Sequence, residues 1–238
     1  QINEDLPRRF YRRLPPLGAG EEAGLPRVFI LAHSLLRVSH LQLSLTICVQ
    51  FIRAYQEQAP LTIAELWAFP TMLRLACLEV LTTAFARLFP DVKVPFAASV
   101  CAAASASIDD TECVSRSLAN LAVISSIQWK DFFDSTSRVE EILQSDPAGV
   151  YSLMDFDTRD SYRHVIEGLA LRSGKTEWLV AEKLIAECRM KTAERSQNHV
   201  GYWLVGDGRD DFEKIIGFRP FRLVWLGRMF FWYAGAIY

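Results

Sequence analysis

"VYSLMDFDTRDSYRHVIEGLALRSGKTEW", Val150–Trp178, is the stretch on which the fold class turns. Read as chemistry, it carries three motifs. Asp155-x-Asp157 follows an apolar run, as do the paired acids that hold a divalent ion against a diphosphate at the end of a buried strand. Gly174-Lys175-Thr176 ends like a phosphate-binding loop, and Arg159, Asp160, Arg163 and His164 resemble an acid–base cluster. Read as local structure, the same residues begin and end two helices.

Spacing favours the second reading. A phosphate loop needs glycine at position 169, which is leucine; Gly168 is one place off. Tyr162, Val165, Ile166 and Leu169 recur at helical intervals, so Gly174 ends a helix in the left-handed conformation that costs glycine little. Thr176 then caps a helix whose buried stripe is Val180, Leu184, Ile185 and Cys188. Asp157 is placed as the first helix's N-cap, with Asp160 at N3. Asp160–His164 and Arg159–Arg163 pair across one turn, on a face that is solvated or docks another surface. The metal reading keeps Asp155 and Asp157 as its ligands and makes the chain a stand-alone sugar-nucleotide enzyme.

The rest of the chain is helical in the same way. Val28, Leu31, Leu35 and Val38, then Leu45, Val49 and Ile52, mark two helices. In "PLTIAELWAF", Thr62 and Glu65 form a capping box flanked by Leu61 and Leu66, and Pro70 should kink the helix that runs on to about Leu88. Asp109 with Glu112 starts a helix carrying Val114, Leu118, Leu121 and Ala122 on one face. A single further helix aligns Trp129, Phe132, Phe133, Thr136, Val139 and Leu143, and Asp146-Pro147 caps another. In "HVGYWLVGDGR", Gly206 and Gly208 mimic a dinucleotide loop, but the third glycine position is Asp211; a turn into a short helix beginning near Asp210 or Asp211 explains it. No period-2 alternation is sustained, so the fold class is all-α, a multi-helix bundle-like domain.

Composition narrows the function classes. Half the residues are hydrophobic and the net charge is −2, which gives a real core and no general attraction for nucleic acid. Cys48, Cys77, Cys101, Cys113 and Cys188 are scattered, without metal-ligand spacing, as small buried residues of a reducing compartment. Three regions follow: residues 1–26, a proline- and glycine-rich extended lead-in; 27–217, the helical domain; and 218–238, the start of a truncated transmembrane helix. In the last, Met229–Tyr238 is uncharged, with Arg219, Arg222 and Arg228 as its membrane-flanking residues. A peripheral membrane adaptor, its terminal helix lying in the lipid interface, is an alternative.

Five blocks in order resemble one family: "EDLPRRFYRRLPPL", "GLPRVFILA", "FIRAYQEQAPLTIAELWAFPTMLRLACLE", "DPAGVYSLMDFDTRDSYRHVIEGLALRSG" and "HVGYWLVGDGR". They are similar to the N-terminal region of the cyclic β-1,2-glucan synthases, large bacterial inner-membrane proteins. Residues 37–47 and the acid at Asp157 depart from that pattern. The resemblance implies a helical segment on the cytoplasmic side of the inner membrane, ahead of a first membrane helix. It implies a parent that transfers glucose from UDP-glucose, with a divalent metal, to a β-1,2-glucan and cyclises it. None of the family's catalytic motifs is present, so no catalytic or cofactor-binding residue is carried over. The expected role is a non-catalytic scaffold that docks the parent's C-terminal domains and meets membrane lipid. Trp67, Trp129, Arg159, Arg163 and Trp203 are the candidate docking residues.

Overall fold

The computed structural model describes residues 14–18, 22–92, 108–191 and 197–218. Among these it holds ten α-helices, one 3-10 turn and no strand, the all-α class expected from the sequence. Residues 219–238, including Arg219, Arg222, Arg228 and the apolar run from Met229, lie outside the described residues, as does Cys101. The chain divides into two compact units between Ser137 and Arg138.

The first unit contains α1 (Arg27–Val38), α2 (Leu45–Gln56), α3 (Ile63–Leu88), α4 (Asp110–Ser126) and α5 (Trp129–Thr136). Helix α3 is its axis, packed against α1, α4 and α5. Leu66, Phe69, Met72, Leu73, Ala76, Cys77 and Val80 are buried, so apolar residues surround the helix instead of forming a stripe. Its start is the capping box read from the sequence. Thr62 Oγ1 accepts from the Glu65 amide at 3.2 Å, and the Glu65 carboxylate accepts from the Thr62 amide at 2.9 Å. Glu65 is fully buried because Arg27, at the start of α1, clamps it with donor–acceptor distances of 2.8 and 2.6 Å. Leu61 and Leu66, at the staple positions, are both buried. Helix α3 runs on through Pro70, which is buried within it.

Three readings are corrected, the first within this unit and the other two at or beyond its end. The buried face of α4 is Cys113, Ser117, Asn120 and Ile124, whereas Leu118 is 53% exposed. The cause is the turn after α1, where His40 and Leu41 have φ of 49° and 56°, uncommon for residues other than glycine. Asn120 Nδ2 donates to the Leu41 carbonyl at 3.1 Å, its Oδ1 accepts from the Leu43 amide at 3.3 Å, and Arg116 donates to the His40 carbonyl at 2.6 Å. Polar side chains therefore face inward there to satisfy backbone. The stripe from Trp129 to Leu143 belongs to two helices, because extended backbone at Ser137 ends α5. Asp146 starts no helix at Pro147; its carboxylate accepts from the Val150 and Tyr151 amides, each at 3.2 Å.

The second unit contains α6 (Arg138–Leu143), the 3-10 turn Tyr151–Leu153, α7 (Phe156–Ser173), α8 (Glu177–Met190), α9 (Val200–Leu204) and α10 (Arg209–Ile216). Helix α8 sits at its centre, against α6, α7, α9 and α10. Its buried face includes the predicted Val180, Leu184, Ile185 and Cys188. Burying each large aliphatic side chain contributes roughly 1.5–3 kcal/mol. Gly174, at φ 67°, ends α7 as expected. Thr176 occupies the N-cap of α8 but makes no side-chain capping bond.

Candidate functional site

The residues that looked like an acid–base cluster meet in the second unit, around a residue the sequence reading did not single out. Glu140 on α6 is 2% exposed. One carboxylate oxygen accepts from the Tyr151 hydroxyl at 2.7 Å and from Arg163 Nη1 at 2.6 Å. The other accepts from Gln144 Nε2 at 2.7 Å and from Arg159 Nη1. Arg163 is fully buried, and it also donates through Nη2 to Asp160 Oδ1 at 3.1 Å. Its guanidinium lies 4.6 Å from the Phe156 ring centroid. Two arginines and two carboxylates balance, and the network joins α6, the 3-10 turn and α7.

Burial and hydrogen bonding act on Glu140 and Tyr151. Burial pushes the Glu140 carboxyl up, but hydrogen bonds from Tyr151, Arg163 and Gln144 outweigh it and hold the acid below its ordinary value. Burial, then the Glu140 charge, pushes the Tyr151 phenol well above its ordinary value. Both shifts favour an ionised Glu140 accepting from a protonated Tyr151. His164 is at the exposed edge, its Nδ1 donating to the Asp160 carbonyl at 2.9 Å. The arrangement ties α6, the 3-10 turn and α7 together.

Asp155 and Asp157 come at the start of α7, and the capping assignment shifts by two residues. Asp155, not Asp157, is the N-cap: its Oδ1 accepts from the Thr158 amide at 2.8 Å and its Oδ2 from the Thr158 hydroxyl at 2.8 Å. Those bonds hold the Asp155 carboxyl below its ordinary value. Asp157 lies in the exposed first turn of the helix. A divalent ion bridging a nucleotide diphosphate calls for acids at a strand end, and this pair sits on a helix start with one acid already engaged by Thr158. The two residues do not fit that group. Gly174-Lys175-Thr176 joins α7 to α8.

The glycines of "HVGYWLVGDGR" serve packing. A methyl on Gly208 would come within 2.4 Å of the Tyr202 ring, and the Gly208 amide donates to the Tyr202 carbonyl at 3.1 Å. Arg209 closes the turn by donating to Glu213 at 2.8 Å and to the Leu204 carbonyl. Helix α10 begins at Arg209, one or two residues before the expected start at Asp210 or Asp211.

Of the docking candidates, Trp203 is buried and donates to the Gln197 carbonyl at 2.8 Å. Half-buried Trp67 stacks on Phe133 with centroids 4.8 Å apart. Half-buried Trp129 donates to the Ile124 carbonyl at 2.9 Å. Arg159 and Arg163 are held by Glu140. Cys48, Cys77, Cys113 and Cys188 are free and buried. Burial pushes the Cys48, Cys77 and Cys188 thiols up to about 12.

No family model matches the chain. The chain is similar to a segment of the cyclic beta-(1,2)-glucan synthase NdvB of Rhizobium meliloti (strain 1021), 24% identical over 293 residues. The match takes in 92% of this chain and 10% of that protein. The chain thus spans about a tenth of the length of the curated relative it matches. One described helix, α3, is long and apolar enough to cross a membrane, and 56% of its most apolar window is buried inside the protein.

Proposed function

We propose that this chain is a non-catalytic helical scaffold of a membrane-bound cyclic β-1,2-glucan synthase, on the cytoplasmic side of a bacterial inner membrane. The whole protein would transfer glucose from UDP-glucose, with a divalent metal, to a β-1,2-glucan and cyclise it. The segment would brace the C-terminal domains that do this chemistry and sit close to membrane lipid.

The observation that carries the reading is similarity along 92% of the chain to one tenth of NdvB, a cyclic beta-(1,2)-glucan synthase. The site geometry supports the non-catalytic part. Asp155 caps a helix, Gly174 ends one, and Arg159 and Arg163 neutralise a buried glutamate. Asp155, Arg159, Asp160 and Arg163 of the deciding stretch are engaged in local structure.

The test is an internal deletion of this segment from the full-length synthase. The scaffold role predicts loss of assembled protein from membranes, and loss of glucan in proportion. Substitutions at Asp155 and Asp157 should leave glucan synthesis intact. A deletion protein that assembles and synthesises glucan at the full rate refutes the role.

A further inference from the structure

We propose, resting on the membrane placement above, that the end of α7 carrying Leu171, Arg172 and Lys175 is the face by which the second unit docks on an anionic lipid surface. The cations there are not neutralised by the protein. Among the described residues neither Arg172 nor Lys175 has a carboxylate partner. Arg159, Arg163, Arg209 and Lys214 of the same unit are each held by an acid. Leu171, next to Arg172 on the helix, is 72% exposed, so an apolar side chain stands in water beside an unpaired charge.

Two contacts fix where the chain leaves this unit. Gly217 ends α10 at φ 71°, and the Phe218 amide donates to the Glu213 carbonyl at 2.8 Å. The Arg172 guanidinium lies 5.6 Å from the Phe218 ring centroid, within cation–π range. Backbone and ring together hold Phe218 at the C-terminal end of α7, and the chain continues from it.

The sequence after Phe218 selects the partner. Residues 219–238 contain Arg219, Arg222 and Arg228, no aspartate or glutamate, and the uncharged run from Met229. Phe218 and Met229 are eleven residues apart, a span of at most about 40 Å. With that run in lipid, the α7 end is tethered to the same surface, and its docking becomes an intramolecular step favoured by effective concentration. Cations on both sides of Phe218 match a layer of anionic headgroups, where each Lys or Arg strengthens binding about fivefold. The long Arg172 and Lys175 stems lie along the interface while their charged heads meet phosphate.

The test uses the full chain with Cys101→Ser, since the other four thiols are buried. A nitrobenzoxadiazole label is placed on Leu171→Cys or, as the control, on Leu153→Cys, which is 85% exposed and precedes the opposite end of α7. Vesicles of phosphatidylcholine, alone or with phosphatidylglycerol, carry lipids spin-labelled near the headgroup. The label at 171 should be quenched on phosphatidylglycerol vesicles and the label at 153 should not. Arg172→Gln with Lys175→Gln should weaken binding to those vesicles roughly 25-fold, about fivefold for each cation. A vesicle-bound chain whose residue 171 stays in water overturns this face and leaves the membrane reading standing. Equal quenching at both positions, equal affinity for the two vesicles, or an unchanged affinity in the charge variant also overturns it. A chain that binds neither vesicle removes the membrane reading and the face together.

Discussion

Replacing Glu140 with alanine is the sharpest perturbation of the second unit. The carboxylate is 2% exposed and accepts from Tyr151, Arg163, Gln144 and Arg159. Its removal leaves the Arg163 guanidinium, fully buried, with Asp160 as the nearest acid. Breaking a buried pair from one side costs roughly 3–5 kcal/mol, because the surviving charge stays desolvated. The Tyr151 hydroxyl loses its acceptor too, which adds to the cost. Urea denaturation followed by far-UV circular dichroism, with amide exchange to locate the loss in α6 and α7, measures it. A loss below about 1 kcal/mol, the worth of an exposed pair, refutes the reasoning. The double change Glu140→Leu, Arg163→Met should recover most of the loss, since a well-packed apolar pair avoids the desolvation. Acid adds a second signature. Glu140 is held below its ordinary value of 4.5 in the folded chain. Its contribution is therefore present above the unfolded pKa and disappears as pH falls through the lower, folded one. Stability below pH 4.5 should fall in the wild type, and less steeply in Glu140→Gln.

Asn120→Ala should destabilise the first unit by about 2–4 kcal/mol, because the Leu41 carbonyl and Leu43 amide both lose their partner; chemical denaturation with exchange at the Leu43 amide checks it. Gly208→Ala brings a methyl within 2.4 Å of the Tyr202 ring and should cost about 1–3 kcal/mol, read as a lowered urea midpoint. At pH 8 the thiols of Cys48, Cys77 and Cys188, pushed up to about 12, should resist a disulfide reagent in the folded chain and react at once in urea; mass spectrometry of each labelled peptide reads this.

Local signals were legible in the sequence, and partners distant along the chain were not. The Thr62–Glu65 capping box, the Gly174 terminator and the α8 stripe depend on residues within a few positions of one another, and all three are present. The Asp155–Asp157 ambiguity is local as well. Either acid can cap, and Thr158, which donates both its amide and its hydroxyl, selects Asp155. Helix α4 misled for another reason. Periodicity assigns the buried face to Leu118, but a turn 77 or more residues earlier needs Asn120 inside. The same limit hid the Arg27 clamp on Glu65 and the gathering of Arg159 and Arg163 on Glu140. One clue to Glu140 was available: it lies four residues after buried Thr136 and three before buried Leu143, a carboxylate on an apolar stripe. Such an acid needs a buried cationic partner.

The central claim is that the acids, glycines and threonines of Val150–Trp178 build helices and hold no sugar nucleotide. Calorimetric titration of UDP-glucose into the chain, with Mn²⁺ present, tests it directly. The account predicts no saturable heat, in the wild type or in Asp155→Ala. Metal-dependent binding that is lost in Asp155→Ala contradicts it.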